Sequence, residues 1–511
     1  MKPHRGMLRQ PSPRRRAGAR PLRRTRADHW SFLFAEMAAY SFVVAVISGL
    51  FLAVFFKPST MGVVYHGSYQ PLNGIQMSEA YRSVLDISFD VRGGLLMRQI
   101  HHWSTLIFAA AVSLQLLRLF FTGAFRRPRR LNWLIWVSLL LLGLAVGWTG
   151  GILPSDMQSG GSLAVLQSVL ESIPVAGTRL MLLVFGGQPP GAHIIARAYW
   201  VHVLLPAAMA GLLMGRRWLV RRHGHTRFGV PAGPGHTRFG VLAGPGQPGS
   251  SRSSAAAALA MFFATCGVIT LLGAVAQINP VWLSGPGQPG AISAGTVPDW
   301  YMGFLDGALR IMPGWEPHLA GHPLTLAVLV PGLIVPGAFF TLLTAYPLLE
   351  ARFTGDRGIH HILDRPRDAA TRTAVGAAGL TFYGLLWAAA ANDQIAYQFG
   401  PDLDTVTWFF RVAVFAGPFL AYTLTQRICL GLIRRERQET EHGRPTGRIV
   451  MSPAGGFSEI TEPVRRVTAD SPETPSGASR RPQPAHGGRS GGRHPDLTGV
   501  RDDSHDPGRI G

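Results

Sequence analysis

Eight stretches of about 20 predominantly apolar residues, the length a helix needs to cross a hydrocarbon core, dominate this 511-residue chain and leave few folds open to it. They cover roughly 31–56, 100–121, 132–151, 199–220, 254–278, 323–347, 373–391 and 406–432. Only 15% of residues are charged, yet the formal net charge is +21, so the cations must concentrate outside these runs. The fold expected is an all-α integral membrane protein with about eight transmembrane helices. Basic loops follow the second, fourth and sixth runs ("GAFRRPRR", "RRWLVRRHGHTR" and the Arg-bearing 351–372). The positive-inside rule then puts the protein in the cell membrane with both termini cytoplasmic.

The hydrophilic segments divide the rest. Residues 1–29 form a basic arm, with ten Lys/Arg among the first 27 residues and no acid there; it is expected to be disordered and held near anionic membrane lipid. No folded reader accompanies it, so no nucleic-acid partner is expected. Residues 30–222 hold four spans, and 223–253 is a Gly/Pro-rich cytoplasmic linker with an eleven-residue tandem repeat at 225–235 and 236–246. Residues 254–433 carry the remaining spans. Residues 434–511 are expected to be a mostly disordered cytoplasmic tail, with local docking of "GRIVMSPAGGFSEI". Cys266 and Cys429 lie far apart and in no C-x-x-C pattern, which excludes an attached c-type haem or a cysteine-held cluster.

Inside the membrane runs, ionisable residues are costly and are functional candidates by default. His101 opens the second run and His202 lies near the start of the fourth, at the same depth on the outer side. Imidazoles from two neighbouring helices can ligate a haem iron axially, or they can simply hydrogen-bond between helices; the two histidines alone leave both readings open. Arg98 sits one turn before His101 and Arg197 five residues before His202, where a haem propionate needs a cation. Gly49 and Gly150 lie at the same outer depth, and glycine allows close approach to a backbone. The loop between spans five and six contains Pro298, Asp299, Trp300 and Tyr301. Asp299 offers a carboxylate to take a proton and Tyr301 a phenol to hydrogen-bond a carbonyl or hydroxyl.

With these residues in place, the chain from about Trp30 to Val464 resembles cytochrome b of respiratory cytochrome bc complexes, in its actinobacterial form. The stretches that carry the resemblance are "GSYQPL", "LDISFDVRGGLLMRQIHHW", "FFTGAFRRPRRLNW", "SIPVAGT", "QINPVWL", "PDWYMGFLDGALRIMPGWE" and "HHILDRPRDAATRTA". The resemblance implies that the first four spans form a haem-binding bundle and that His101 and His202 ligate the outer, low-potential haem. It further implies that Arg98 and Arg197 lie near the propionates and that Pro298 to Tyr301 form a (mena)quinol-oxidation site. The partners it implies are a Rieske iron–sulfur subunit and a cytochrome c subunit in a dimeric complex, with cytochrome c oxidase a further candidate.

The family also places a second histidine fourteen residues after each of these two, about 21 Å along the helix and on nearly the same face. Here those positions hold Gln115 and Arg216, and the glycines that the family has fourteen residues before Gly49 and Gly150 are Ala35 and Trp136. Flanking landmarks hold the register, and no histidine occurs between His102 and His193. Glutamine is a poor haem ligand and a permanently charged guanidinium essentially none. The expectation is one b haem where the family pattern has two, with the inner cavity filled by side chains. That truncation would interrupt the second electron path. The chain is then either a quinol-oxidising subunit with altered electron exit or a non-catalytic membrane scaffold or regulatory subunit of respiratory complexes; a working subunit with unusual inner ligands is the remaining alternative. A transporter finds no support in paired broken helices.

Overall fold

The computed structural model describes residues 30–223, 227–228, 251–288, 290–291, 297–319, 321–453 and 455–462. The arm at 1–29, nearly all of the linker with its tandem repeat, and the tail from 463 lie outside the described residues.

The helices, in chain order, are α1 (Phe34–Phe55), α2 (Glu79–Phe89), α3 (Gly94–Phe121), α4 (Arg130–Ile152), α5 (Met157–Glu171), α6 (Gly177–Phe185), α7 (Ile194–His223) and α8 (Ser251–Val275). They continue with α9 (Val281–Ser284), α10 (Gly303–Ile311), α11 (Leu326–Leu329), α12 (Val335–Thr354), α13 (Ala370–Ala389), α14 (Asn392–Phe399) and α15 (Leu403–His442). Among the described residues seven helical segments are long and apolar enough to cross a membrane: α1, α3, α4, α7, α8, α11 run on into α12, and α15. The pair α13 and α14, bent by 63°, makes an eighth. Each expected span coincides with one of these, so the protein is a multi-pass, all-helical membrane protein. Short two-stranded pairings, such as Gly62–Val64 with Gln76–Ser78, decorate the loops.

The first four spans, α1, α3, α4 and α7, pack as a bundle in which α1 lies on α3, α3 on α4 and α4 on α7. As helices they pair their backbone groups along the span, which a bilayer demands, with Pro206 inside α7 the one interior break among these four. Shorter helices cover one end of the bundle, and two of them, α2 and α5, start on side-chain caps. Ser78 Oγ accepts from Tyr81 N at 3.1 Å to start α2, and Asp156 Oδ1 accepts from Ser159 N at 2.9 Å to start α5. A π-helical turn at Val330–Ile334, containing Pro331, joins α11 to α12, since a proline removes one helical donor and shifts the ladder.

The structured chain runs past the expected boundary at 433. α15 continues to His442, supported in its last turns by Arg435–Glu439 at 3.0 Å and Arg437–Glu441 at 3.3 Å, both spaced one helical turn apart. Glu436 also accepts from Arg367 at 2.7 Å, which ties the exit of α15 to the loop before α13. Residues Arg444–Met451 and Phe457–Glu462 then pair as an antiparallel hairpin.

Candidate functional site

The α1/α3 and α4/α7 pairs each bring one histidine into the bundle, and they do so with the same local construction. His101 Nδ1 lies 2.9 Å from Ala45 O and 3.2 Å from Ser48 Oγ; His202 Nδ1 lies 3.0 Å from Val146 O and 3.4 Å from Thr149 Oγ1. The sequence separations are identical in the two halves, 56 residues to the carbonyl and 53 to the hydroxyl. A backbone carbonyl accepting from Nδ1–H sets the tautomer and leaves Nε2 with its lone pair, the arrangement that prepares an imidazole for a metal. Gly49 and Gly150 admit these rings. A Cβ at Gly49 would meet His101 Cε1 at 2.9 Å, and one at Gly150 would meet His202 Cε1 at 2.7 Å. The two ring centroids are 6.0 Å apart and the planes inclined at 70°. An iron taking one nitrogen from each ring at about 2.0–2.1 Å, typical of a metal–imidazole bond, requires a centroid separation of about 6 Å. The residues at this end therefore suit an axially bis-imidazole haem.

Arg98 and Arg197 flank this end. Arg98 donates from Nη2 to Asn279 O at 3.0 Å and stands 5.6 Å from the Trp282 ring centre, while its buried Nε has no hydrogen-bond partner. Arg197 donates from Nη1 to the carbonyls of Leu183 and Val184 at the end of α6.

Between α8 and α10, Pro298, Asp299, Trp300 and Tyr301 turn into a short 3-10 segment that joins the α4 side of the bundle. Tyr301 is buried and its phenol packs on the backbone of Gly147, where any Cβ would collide with it. Its hydroxyl donates to Asp299 Oδ2 at 2.9 Å, and His102 Nε2 lies 2.9 Å from Asp299 Oδ1. Burial pushes the Asp299 carboxyl up, but the hydrogen bonds and charge of His102, with the bond from Tyr301, outweigh it and hold the group below the usual carboxylate range. Burial, and then the adjoining Asp299 carboxylate, hold the Tyr301 phenol well above its ordinary value, so it remains a donor. Trp300 is the more exposed neighbour, at the rim.

At the other end of the bundle the positions equivalent by spacing hold a packed core. Ala35 and Trp136 belong to one cluster with Ala38, Phe108, Val112 and Leu116. Trp136 is 0% exposed, and the Arg216 guanidinium stacks on its ring at 4.8 Å. Gln115 is 2% exposed, and its Oε1 has no hydrogen-bond partner. These residues do not suit a haem: none offers an imidazole, and a fully buried indole with a guanidinium laid on it occupies volume that close packing cannot share with a macrocycle.

Three features were not legible in the sequence. Ser48 and Thr149 sit one residue before the two glycines and look like ordinary membrane-helix hydroxyls. In the sequence His102 is merely the residue after His101. A charged clamp joins two quoted family stretches, with Asp364 Oδ2 2.5 Å from both Arg126 and Arg372, and Arg372 also 3.3 Å from Glu350. The density of Arg in those stretches was the one available signal, and the residues that meet are up to 238 apart.

Comparisons with known proteins bear on this arrangement. A family model described as "Cytochrome b(N-terminal)/b6/petB" matches residues 106–286. The cytochrome bc1 complex cytochrome b subunit of Streptomyces coelicolor is 48% identical over 444 residues, which is 87% of this chain and 80% of that protein. That of Mycobacterium tuberculosis is 45% identical over 450 residues, 88% of this chain and 80% of the relative. A chain of the solved "Hyperthermophilic respiratory Complex III" shares the fold at a TM-score of 0.58 and 18% identity, covering 80% of this chain and 94% of that one. By identity at this level over nearly the whole described region, the chain belongs to the cytochrome b subunit family of cytochrome bc1 complexes.

Proposed function

We propose that this cytochrome b subunit oxidises quinol, of the menaquinol class, at the Asp299–Tyr301 end of its bundle and carries a single b haem there, held by His101 and His202. The observation that carries the reading is the contrast between the two ends. One has paired imidazoles 6.0 Å apart on glycine-lined helices, while the other has Trp136, Arg216, Gln115 and Ala35 in a closed core. When bound, the haem would supply one-electron transfer, and Arg98 and Arg197 would be the cations to pair with its propionates. Gly49 and Gly150 give the rings room, and Ala45 O and Val146 O keep each Nδ1 protonated.

Quinol must lose two protons with two electrons, so its hydroxyl needs an acceptor at hydrogen-bond distance. Asp299, ionised and holding unused lone pairs, takes the proton, and Tyr301 orients the carboxylate from its far oxygen. Trp300 and Pro298 shape the entrance. In the membrane the His101 end faces outward and both termini lie on the cytoplasmic side; the basic loops after the second, fourth and sixth spans support this reading. Rieske iron–sulfur and cytochrome c subunits are the partners in a dimeric complex, and oxidase contact is a further expectation. With no inner haem, the electron that does not go to the iron–sulfur partner leaves by a route other than an inner haem of the same chain.

The scaffold reading predicts no haem and no need for the His101–His202 geometry or the Asp299 hydrogen bonds. Reduced-minus-oxidised spectra and haem stoichiometry of the purified subunit separate the two. One b haem whose signal disappears in His101→Leu or His202→Leu supports the proposal, no haem supports the scaffold, and two haems refute the one-haem reading.

A further inference from the structure

Asp299 sits on a loop, and a carboxylate on a loop turns readily about its last torsion, which is broad and two-fold. Two donors fix it in this protein. Tyr301 holds Oδ2 and His102 holds Oδ1, each at 2.9 Å. The two partners of the second bond are well covered, at 23% and 26% side-chain exposure, so water competes poorly for it. His102 itself cannot drift, because α3 is fastened to the chain after α8 by Gln99 and Trp103. Gln99 Nε2 donates to Ile278 O at 3.0 Å, Gln99 Oε1 accepts from Ile278 N at 2.9 Å, and Trp103 Nε1 donates to Ala276 O at 2.8 Å. The same turn of α3 that carries His101 therefore reaches the quinol-site carboxylate. Each carboxylate oxygen has two lone pairs, so one on each remains open to substrate.

We propose that His102 is a positioning residue of the quinol site, holding the Asp299 carboxylate, by donation from Nε2–H to Oδ1, in the orientation that receives the proton of a quinol hydroxyl. The inference rests on the reading of Asp299 as proton acceptor. The quinol O–H bond breaks and its proton passes to Asp299; His102 neither gains nor loses one.

The test compares His102→Phe, which removes the donor, His102→Gln, which keeps an N–H donor, and Asp299→Asn, all in the assembled complex with a short-chain naphthoquinol as substrate. His102→Met is a second donor-less variant in case the phenyl ring disturbs assembly. Readouts are kcat and KM separately, the haem spectrum, and the Asp299 carboxyl band in redox-difference infrared spectra. The donor-less variants are expected to lower kcat by on the order of 10- to 100-fold, the size of effect that misplacing a reacting group produces. KM and the haem spectrum should hold, the infrared band should move, and His102→Gln should recover most of the rate. Donor-less variants with wild-type kcat and an unmoved band, or a Gln variant as slow as Phe and Met with haem intact, would overturn the inference. Full turnover in Asp299→Asn would overturn the quinol-site reading itself; a slow Asp299→Asn beside fast His102 variants defeats only the positioning role.

Discussion

Replacing Gly150 with alanine tests the histidine pair through one methyl group. The added Cβ would lie 2.7 Å from His202 Cε1 and 3.2 Å from its Nδ1. Carbon atoms rest about 3.5–4.0 Å apart, so the ring has to retreat by roughly 1 Å from α4. That displacement stretches the 3.0 Å bond from Nδ1 to Val146 O beyond useful length. It also moves the His202 ring off the 6.0 Å separation from His101. Overpacking of this kind costs about 1–3 kcal/mol, and losing the hydrogen bond adds about 1 kcal/mol. Together they are enough to empty or distort a site that depends on both rings. Gly151→Ala is the control, since nothing lies within 4 Å of a Cβ placed there. The assay is b haem per polypeptide with the reduced-minus-oxidised spectrum. Gly150→Ala should lose haem or shift its band, and Gly151→Ala should match the parent. A Gly150→Ala protein with full haem content and an unshifted spectrum would refute the view that the glycine makes room for an iron-ligating ring.

Other outcomes follow from the same geometry. Restoring the missing imidazoles by Gln115→His with Arg216→His should yield no second haem in pyridine haemochrome assays, because Trp136 and Ala35 keep the volume; a second haem would show that space was never the limit. Trp136→Ala should lower thermal stability by about 3–5 kcal/mol, the usual range for truncating a buried aromatic, while the outer haem spectrum persists. Asp299 has a carboxyl held below its ordinary range in the folded protein, so its hydrogen bonds stabilise the loop at neutral pH and are lost only as pH falls through that depressed value. Quinol oxidation should accordingly persist to a pH below the ordinary aspartate range, and Asp299→Asn should be slow at every pH. Asp364→Asn leaves Arg126 and the 4%-exposed Arg372 short of a carboxylate. Asp364 is 30% exposed and Arg372 keeps Glu350 at 3.3 Å, so the cost should fall below the roughly 3–5 kcal/mol of a fully broken buried pair and appear as a modestly lower unfolding temperature without loss of haem.

What the sequence disclosed followed from the severity of the membrane's demands. Twenty apolar residues in a row permit little but a spanning helix, so all eight spans lay where hydropathy put them, and imidazoles inside such runs stood out. The inner differences were visible because the family resemblance implies a histidine fourteen residues after each outer one, and that step leads from His101 to Gln115 and from His202 to Arg216. Contacts between distant segments were a different matter. His102 meets Asp299 across 197 residues, and nothing local to "IHHW" says which of its two histidines turns to the bundle centre and which to the loop. Ser48 and Thr149 gain their meaning from the ring that lies over the following glycine. The position of Arg98 suggests only a propionate partner, whereas its side chain also holds the loop at Asn279. The exit of α15 beyond 433 was hidden because Arg/Glu-rich sequence reads as solvated tail, and its helix depends on ion pairs one turn apart and on Arg367 from another segment.

One end of this bundle is proposed to hold a haem, while the other is closed by the side chains of Trp136, Arg216, Gln115 and Ala35. Haem b per polypeptide, determined by pyridine haemochrome on the purified, fully assembled complex against its protein content, tests it most directly. One haem for each copy of this chain is expected, and two per chain would refute the single-haem proposal.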